Sequence, residues 1–278
     1  MGQRLGGMFH DTTTALGLIL LGLLALLALL GPLLAPYDPY QTFAPLQRPT
    51  RAHPLGTNDV GHDLWTELLY GARFSLSIAL FSSTLSTGVG VVVGLIAGYY
   101  DGVGQAIMRL VDIFLAIPRF PLIILMAAFL RPGAGTLILF FTLFGWPRAT
   151  RIIRSHVLGE REKGYVEAAI LVGVRNPRIL LRHIWPGTLP IALVRFILAF
   201  QHVILAESSL SFLGLGDPTV KSWGNMLHYA FSYPTIFISD LWVRWMLPPG
   251  ACITLVVIAL TLVGFTLETR ANPTLQKR

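Results

Sequence analysis

Charged residues are scarce in this 278-residue chain, at 13% of the total, whereas ordinary soluble domains contain about 25%. The mean hydropathy is +0.65. The single cysteine, Cys252, excludes a disulfide framework and a multi-cysteine metal site. The chain also lacks a G-x-x-x-x-G-K-[ST] loop, so we do not expect it to hydrolyse a nucleotide itself. Together with several long apolar runs, these absences indicate a membrane protein.

The apolar runs predict how often the chain crosses the bilayer, since one crossing takes roughly 20 residues. Three runs are long and uncharged, namely 12–34, 74–100 and 245–267. Three others are short or carry prolines or ionisable residues, namely 113–130, 136–146 and 190–213. A charge at the bilayer centre costs about 2.5–3.5 kcal/mol, so we expect these last helices to face one another or a wet path. The sequence therefore predicts an all-α membrane protein with six transmembrane helices.

Positive charge is concentrated between residues 148 and 182, where eight basic and three acidic residues give a net charge of +5. Beside membrane spans, such a cluster predicts a cytoplasmic loop. Six spans then place both termini in the cytoplasm and segments 35–73 and 214–244 outside. Basic clusters also occur in nucleic-acid-binding proteins, but the dispersed charges and the tethering between spans favour no nucleic acid.

The predicted organisation follows from these spans. Residues 1–34 form an N-terminal segment with the first transmembrane helix, and 35–73 an extracytoplasmic segment. Residues 74–270 form a five-helix core with a cytoplasmic loop at 148–189 and an extracytoplasmic loop at 214–244, and 271–278 form a cytoplasmic tail. A secretory signal is the alternative for the first run. Its apolar part exceeds the usual 7–15 residues and no clear cleavage site follows.

The run "STGVGVVVGLIAGYY" places Gly90, Gly94 and Gly98 four residues apart. On a helix they share one stripe, which predicts a close approach of a second helix.

The stretch "YVEAAILVGVRNPRILLRHIWPGTLP" (165–190) predicts helix, turn, helix at the membrane surface. Tyr165, Ala168, Ala169 and Val172 share one small apolar face, and Gly173 is a residue that readily ends a helix. Asn176 and Pro177 suit a helix start, and Pro186 is expected to stop the second helix. The apolar face could enter a groove on another protein. The alternatives are a helix that rests on anionic lipid, a segment that only fixes the topology, and a helix-turn-helix that reads DNA, against which the tethering between spans and the dispersed basic side chains argue.

Here the chain resembles a known family. The segment "EAAILVG", followed by Pro190, resembles the EAA loop of permease subunits of ABC importers. The stretches "HPLGTNDVGHDLWTELLYGARFSL" (53–76) and "ILAESSLSFLGLGDPTVKSWGNML" (204–227) are similar to signatures of its dipeptide, oligopeptide and nickel branch. With "REKGYVEAA" and "PPGACITLVV", the resemblance spans about residues 35–270.

The resemblance implies a type I ABC importer permease fold in the bacterial cytoplasmic membrane, with cytoplasmic coupling helices that dock on an ATPase. It also implies a second, different permease chain, two ATPase subunits, an extracytoplasmic substrate-binding protein and a lipid bilayer as partners. No cofactor is expected on this chain, because ATP and Mg would bind the partner ATPases. The implied coupling residues are Tyr165, Glu167, Ala168, Ala169, Gly173 and Arg175. We expect Glu167 to pair with nearby basic groups or to cap helix amides.

Ionisable residues within the imperfect spans are candidates for a translocation path, namely Arg119, Arg195, His202 and Glu207. For His202 and Glu207 a hydrogen-bonded contact between helices is the structural alternative. Arg119 could instead extend to the membrane interface.

Departures from the family pattern weaken inference about the substrate. Asn58 stands where Asp is usual, and His62 where Arg is usual. Near the end, Phe265 and Glu268 replace an Asp and an Arg.

Di- or oligopeptide import is the leading function. Import of nickel or a metal–chelator complex is the alternative, with modest support from His202. An intramembrane hydrolase is remote, because H-E-x-x-H and G-x-S-x-G are absent. A membrane scaffold without transport activity is the fourth possibility. No metal site is predicted.

Overall fold

A computed structural model describes residues 2–129 and 133–271. These residues form helices joined by turns and irregular segments, with only isolated bridges, Thr42 with His62 and Thr57 with Asp63, in place of strands. The helices are α1 (Gly2–Leu34), α2 (Leu64–Tyr99), α3 (Asp101–Ala116), α4 (Arg119–Phe129), α5 (Ala134–Arg161), α6 (Gly164–Leu171), α7 (Asn176–Ile179), α8 (Trp185–Phe212), α9 (Trp223–Ser232), α10 (Leu241–Trp245) and α11 (Leu247–Ala271). The predicted all-α class is confirmed for this part of the chain.

Four helical stretches in the described residues are long and apolar enough to cross a membrane. They are Thr12–Leu34, Leu64–Tyr99, Asn176–Phe212 and Leu247–Glu268. Each contains or overlaps one of the predicted spans.

The predicted span at 113–130 is wrong as a single helix. The chain breaks between α3 and α4, where Ile117 has φ −75° and ψ 125°. Ile117 precedes Pro118, and the proline ring disfavours helical geometry at the residue before it. The short run at 136–146, by contrast, lies within the 28-residue helix α5, which continues through Pro147.

The predicted helix end at Pro186 is also wrong. α7 continues through a π-helical turn, Leu180–Ile184, directly into α8. In that turn the amide of Trp185 bonds the carbonyl of Leu180, five residues back. We attribute the tolerance of Pro186 to this wider turn, which relieves the close approach of a proline ring to the carbonyl four residues earlier.

The chain divides into two compact units. The first comprises Met1–Leu80, Ile124–Leu137 and Gln201–Val263. Within it α1 packs closely near its middle and near its C-terminal end: a Cβ on Gly17 would lie 2.9 Å from Cγ2 of Val263, and one on Gly31 would lie 3.0 Å from the carbonyl oxygen of Leu69. Trp223 and Trp245 are fully buried in this unit.

The second unit comprises Phe81–Ile123, Ile138–Phe200 and Gly264–Arg278. Here the glycine stripe of α2 lies directly on α5. A Cβ would come within 2.4 Å of Ala149 Cβ at Gly90, within 2.7 Å of Ile153 Cβ at Gly94 and within 2.6 Å of Val157 Cβ at Gly98. The close helix packing predicted from the glycine spacing is confirmed.

Candidate functional site

The hairpin formed by α6, the turn at Gly173 and α7 lies in the second unit. Gly173 has φ +81°, a conformation that L-residues rarely adopt. The amide of Val174 bonds the carbonyl of Ala169 at 3.0 Å, which closes the turn. The predicted helix–turn–helix is confirmed. The second helix begins one residue earlier than predicted, with Arg175 at the cap position and no capping side chain.

The inner side of the hairpin packs on a buried apolar cluster. Val166 of α6 and Ile179 of α7 are fully buried, and Ala169 packs against the same cluster. The Tyr99 hydroxyl at the end of α2 donates a 3.0 Å hydrogen bond to the side-chain oxygen of Asn176. The hairpin is thus held to α2 by apolar burial and by one specific polar contact.

The outer side of the hairpin is exposed and apolar at its tip. Leu171 is 82% exposed and Val172 83% exposed, and Ile170 and Ala168 are also exposed. The predicted apolar face is therefore only partly right. Ala169 turns toward the buried cluster, and the exposed surface is formed by Ala168, Leu171 and Val172.

Glu160, at the end of α5, is the acid that ties down the start of the hairpin. Its carboxylate accepts hydrogen bonds from Lys163 and from the Tyr165 hydroxyl, and His156 Nε2 lies 3.4 Å from it. Burial raises the pKa of Glu160, but the hydrogen bonds from Lys163 and Tyr165 outweigh it, and the pKa is lowered overall. The pKa of Tyr165 is raised to about 12 by burial and by its bond to Glu160.

Sequence reasoning assigned an anchoring role to Glu167 and missed Glu160. Glu167 is exposed, and none of the ion pairs among the described residues includes it. The expected anchoring role of Glu167, by ion pairing or by capping of helix amides, stays a prediction. The sequence indicates these contacts of Glu160 only weakly, through its spacing: Glu160 stands three residues before Lys163 and five before Tyr165.

Two arginines of α5 cap the end of α2. Arg154 donates to the carbonyl of Ala97 at 3.2 Å, and Arg161 donates to the carbonyl of Gly98 at 3.1 Å. Arg161 also bonds Asp101 at 2.8 Å, and this bond lowers the pKa of that carboxyl. These cations satisfy carbonyls that lack partners at a helix end and interact favourably with the helix dipole.

The predicted path residues lie in different environments. Arg195 is half-buried on α8 in the second unit, and His202 is exposed on the same helix in the first unit. Glu207 is fully buried and accepts a 3.0 Å hydrogen bond from Ser211. The side chain of Arg119 and the tail 272–278 lie outside the described residues.

A second polar cluster lies in the first unit, around the residues that depart from the family pattern. Lys221 Nζ is 2.6 Å from Glu67 Oε1 and 3.0 Å from His62 Nδ1, and the side-chain amide of Asn58 bonds Glu67 at 3.3 Å. His62 therefore joins a lysine–glutamate pair. Sequence reasoning did not identify Lys221, because it is 154 residues from Glu67.

Several helices that are long and apolar enough to cross a membrane place the chain in the class of multi-pass membrane proteins. Sequence comparison identifies the family. The chain belongs to the binding-protein-dependent transport system inner membrane components, whose family profile matches residues 90–277. Residues 8–54 match the N-terminal transmembrane domain of oligopeptide transport permease C. Members of this family are permease subunits and not enzymes.

Curated relatives cover nearly the whole chain. Proteins of Brucella suis and Brucella abortus, provisionally named peptide transport system permeases, are each 38% identical over 94% of this chain and 88% of their own length. A Sinorhizobium fredii protein, provisionally named a peptide ABC transporter permease, is 38% identical over 93% of this chain and 86% of its own length.

Proposed function

We propose that this chain is the membrane permease subunit of an ATP-driven importer that passes di- or oligopeptides across the inner membrane. The observation that carries the proposal is the 38% identity, over 94% of the chain, to relatives named for peptide transport. The family match at residues 90–277 supports the dependence on a substrate-binding protein. No observation on the described residues favours nickel.

The hairpin is the proposed coupling element. Its inner side packs on α2 and α5, whereas Leu171 and Val172 expose neighbouring apolar side chains, and contiguous exposed apolar surface marks interaction sites. Arg175 and Arg178 are exposed beside this tip. An apolar helix face that enters a groove on another protein is a common recognition mode. The proposed coupling residues remain Tyr165, Glu167, Ala168, Ala169, Gly173 and Arg175.

The proposed topology has six crossings and both termini in the cytoplasm. Four crossings correspond to the long apolar helices. The other two are proposed for the broken pair α3 and α4 and for α5. The net charge of +5 between residues 148 and 182 supports a cytoplasmic position for the hairpin.

The proposed mechanism is alternating access. Two partner ATPase subunits, which would hold ATP and Mg, close on nucleotide binding and move the docked hairpins of this chain and of a second permease chain. The membrane helices then open toward the outside, and the binding protein releases the peptide into the path. Hydrolysis returns the inward-open state. The hairpin thus links two assemblies that each have two states.

The test is uptake by proteoliposomes that contain the complete complex, with labelled di- and tripeptides in one arm and Ni²⁺ in the other. We expect peptide uptake that requires both ATP and the binding protein. Uptake of Ni²⁺ without peptide uptake would overturn the proposed substrate class. Peptide uptake that is independent of ATP would overturn the proposed mechanism.

A further inference from the structure

Glu207 is a fully buried acid on α8, and none of the ion pairs among the described residues involves it. A buried carboxyl group without a cation is costly unless hydrogen bonds satisfy it. The structure therefore has to satisfy this group by other means.

Four serine hydroxyls surround the carboxyl group. Ser211 bonds one oxygen at 3.0 Å and Ser208 lies 3.4 Å from the other. Ser75 of α2 and Ser222, which precedes α9, place their hydroxyl groups close enough to interact with the same carboxyl group. All four serines are buried. The carboxyl group thus lies between α8, α2 and the residue that precedes α9.

Two of these serines are also bonded to the start of α9. Ser75 Oγ accepts from the amide of Trp223 at 3.3 Å, and Ser222 Oγ accepts from the amide of Asn225 at 3.1 Å. Since each oxygen already accepts an N–H, its hydroxyl proton is available to the carboxyl oxygens. The two serines therefore link the first amides of α9 to Glu207. The start of a helix also carries partial positive charge, which favours an acid nearby.

The start of α9 is also tightly packed against α8 beside Glu207. A Cβ on Gly224 would lie 2.5 Å from Ser211 Cβ and 2.7 Å from the carbonyl oxygen of Ser208. Trp223 is fully buried, and its ring N–H donates to the carbonyl of Leu68 at 3.1 Å. The position of α9 thus depends on contacts within a few ångströms of Glu207.

We propose that Glu207 is a positioning residue of the import cycle, which fixes the start of α9 to α2 and α8 through its four hydroxyl contacts. The role in import rests on the proposed function, whereas the attachment of α9 does not. α9 lies in segment 214–244, which we predict to face outward. α9 would therefore move together with the attached parts of α2 and α8 when the path opens for the peptide.

The attachment is tested by thiol labelling of the purified complex. Cys252→Ser removes the native thiol, and Met226→Cys places a reporter on the inner face of α9, where Met226 is 2% exposed. We expect a water-soluble maleimide to label this thiol about tenfold faster after Glu207→Ala, because buried hydroxyls then lose their acceptor. Glu207→Gln keeps one carbonyl oxygen and replaces the other with a donor, so we expect a smaller acceleration.

Ser209→Ala is the matched control, since Ser209 is an exposed neighbour whose hydroxyl bonds the carbonyl of Leu205. It should leave the labelling rate unchanged. If Glu207→Ala does not assemble, Ser211→Ala should accelerate labelling, because it removes a hydroxyl that bonds the carboxyl group and leaves the serine bonds to α9 in place. Labelling at the parent rate in the assembled Glu207 variants, or in Ser211→Ala, would overturn the proposal.

A second measurement tests the role in import. ATP hydrolysis stimulated by the binding protein should fall in Glu207→Gln while basal hydrolysis is retained. Unchanged stimulation would remove Glu207 from the import cycle. Absence of peptide uptake by the parent complex would overturn the proposed function and leave the labelling result valid, because labelling does not require transport.

Discussion

The hydroxyl of Tyr165 donates a hydrogen bond to the carboxylate of Glu160, and this contact joins the first turn of α6 to the last turn of α5. Lys163 bonds the same carboxylate. The two contacts close the six-residue junction from Glu160 to Tyr165, so one buried acid holds the hairpin at the end of α5.

Glu160→Ala should reduce the amount of peptide imported per ATP hydrolysed, because the hairpin loses the acceptor that orients Tyr165 and Lys163. Losing a hydrogen-bonded charged group costs on the order of 1.4 kcal/mol or more, which corresponds to a factor of about ten in the population of the fixed hairpin. The ratio of uptake to hydrolysis in proteoliposomes measures the effect. Glu162→Ala, at an exposed neighbour, is the control. Equal ratios in both variants would show that the junction does not orient the hairpin.

Leu171→Asp and Val172→Asp should abolish binding of the ATPase subunit without loss of the folded permease. Both side chains are more than 80% exposed, so a charge there does not disturb the buried cluster. Co-purification of the ATPase with the detergent-solubilised permease measures binding. Val60→Asp, at an exposed apolar residue of the segment predicted to face outward, should bind normally. Normal co-purification of the Leu171 and Val172 variants would exclude the tip as the docking surface.

Gly173→Val should leave the protein in the membrane and uncouple it from ATP hydrolysis. A β-branched residue at φ +81° costs about 1–2 kcal/mol, so the turn between α6 and α7 will shift. Gly173→Asn is the matched variant, because asparagine tolerates this conformation better than other residues. Uptake should be largely retained with Asn and lost with Val. Parent-level uptake by the Val variant would show that the turn geometry is not required.

Gly94→Ala should lower the thermal stability of the protein. The new methyl group would lie 2.7 Å from Ile153 Cβ, and such overpacking typically costs about 1–3 kcal/mol. Gly88→Ala, six residues earlier on α2, meets no atom within 4 Å and should leave the melting temperature unchanged or raise it. A melting curve of each purified variant compares the two. Similar melting temperatures would show that α2 and α5 accommodate the added methyl group without loss of stability.

The sequence predicted those features that depend on local pattern. Four-residue glycine spacing identified the contact face of α2, and Gly173 identified the turn, because each depends on one residue type at one place. The break at Ile117 was also implicit in the proline that follows it. The run 113–130 was nevertheless predicted as one span, because prolines can persist in a transmembrane helix where neighbouring groups satisfy the freed carbonyls.

Features that depend on packing between distant segments were not predictable in the same way. The contacts of Glu160 and of Lys221 require knowledge of which helix ends meet. The passage of the chain through Pro186 requires the π-helical turn, for which the sequence carries no distinct signal. Glu207 was recognised as an ionisable residue within a span, but two of its four serine neighbours come from α2 and from the loop before α9.

The π-helical turn has a consequence for length. Because the helix does not end at Pro186, Asn176–Phe212 is one continuous helical stretch of 37 residues, or roughly 55 Å at 1.5 Å per residue. The hydrocarbon core of a bilayer is about 30 Å thick, so this stretch is long enough to cross the core and to extend beyond it.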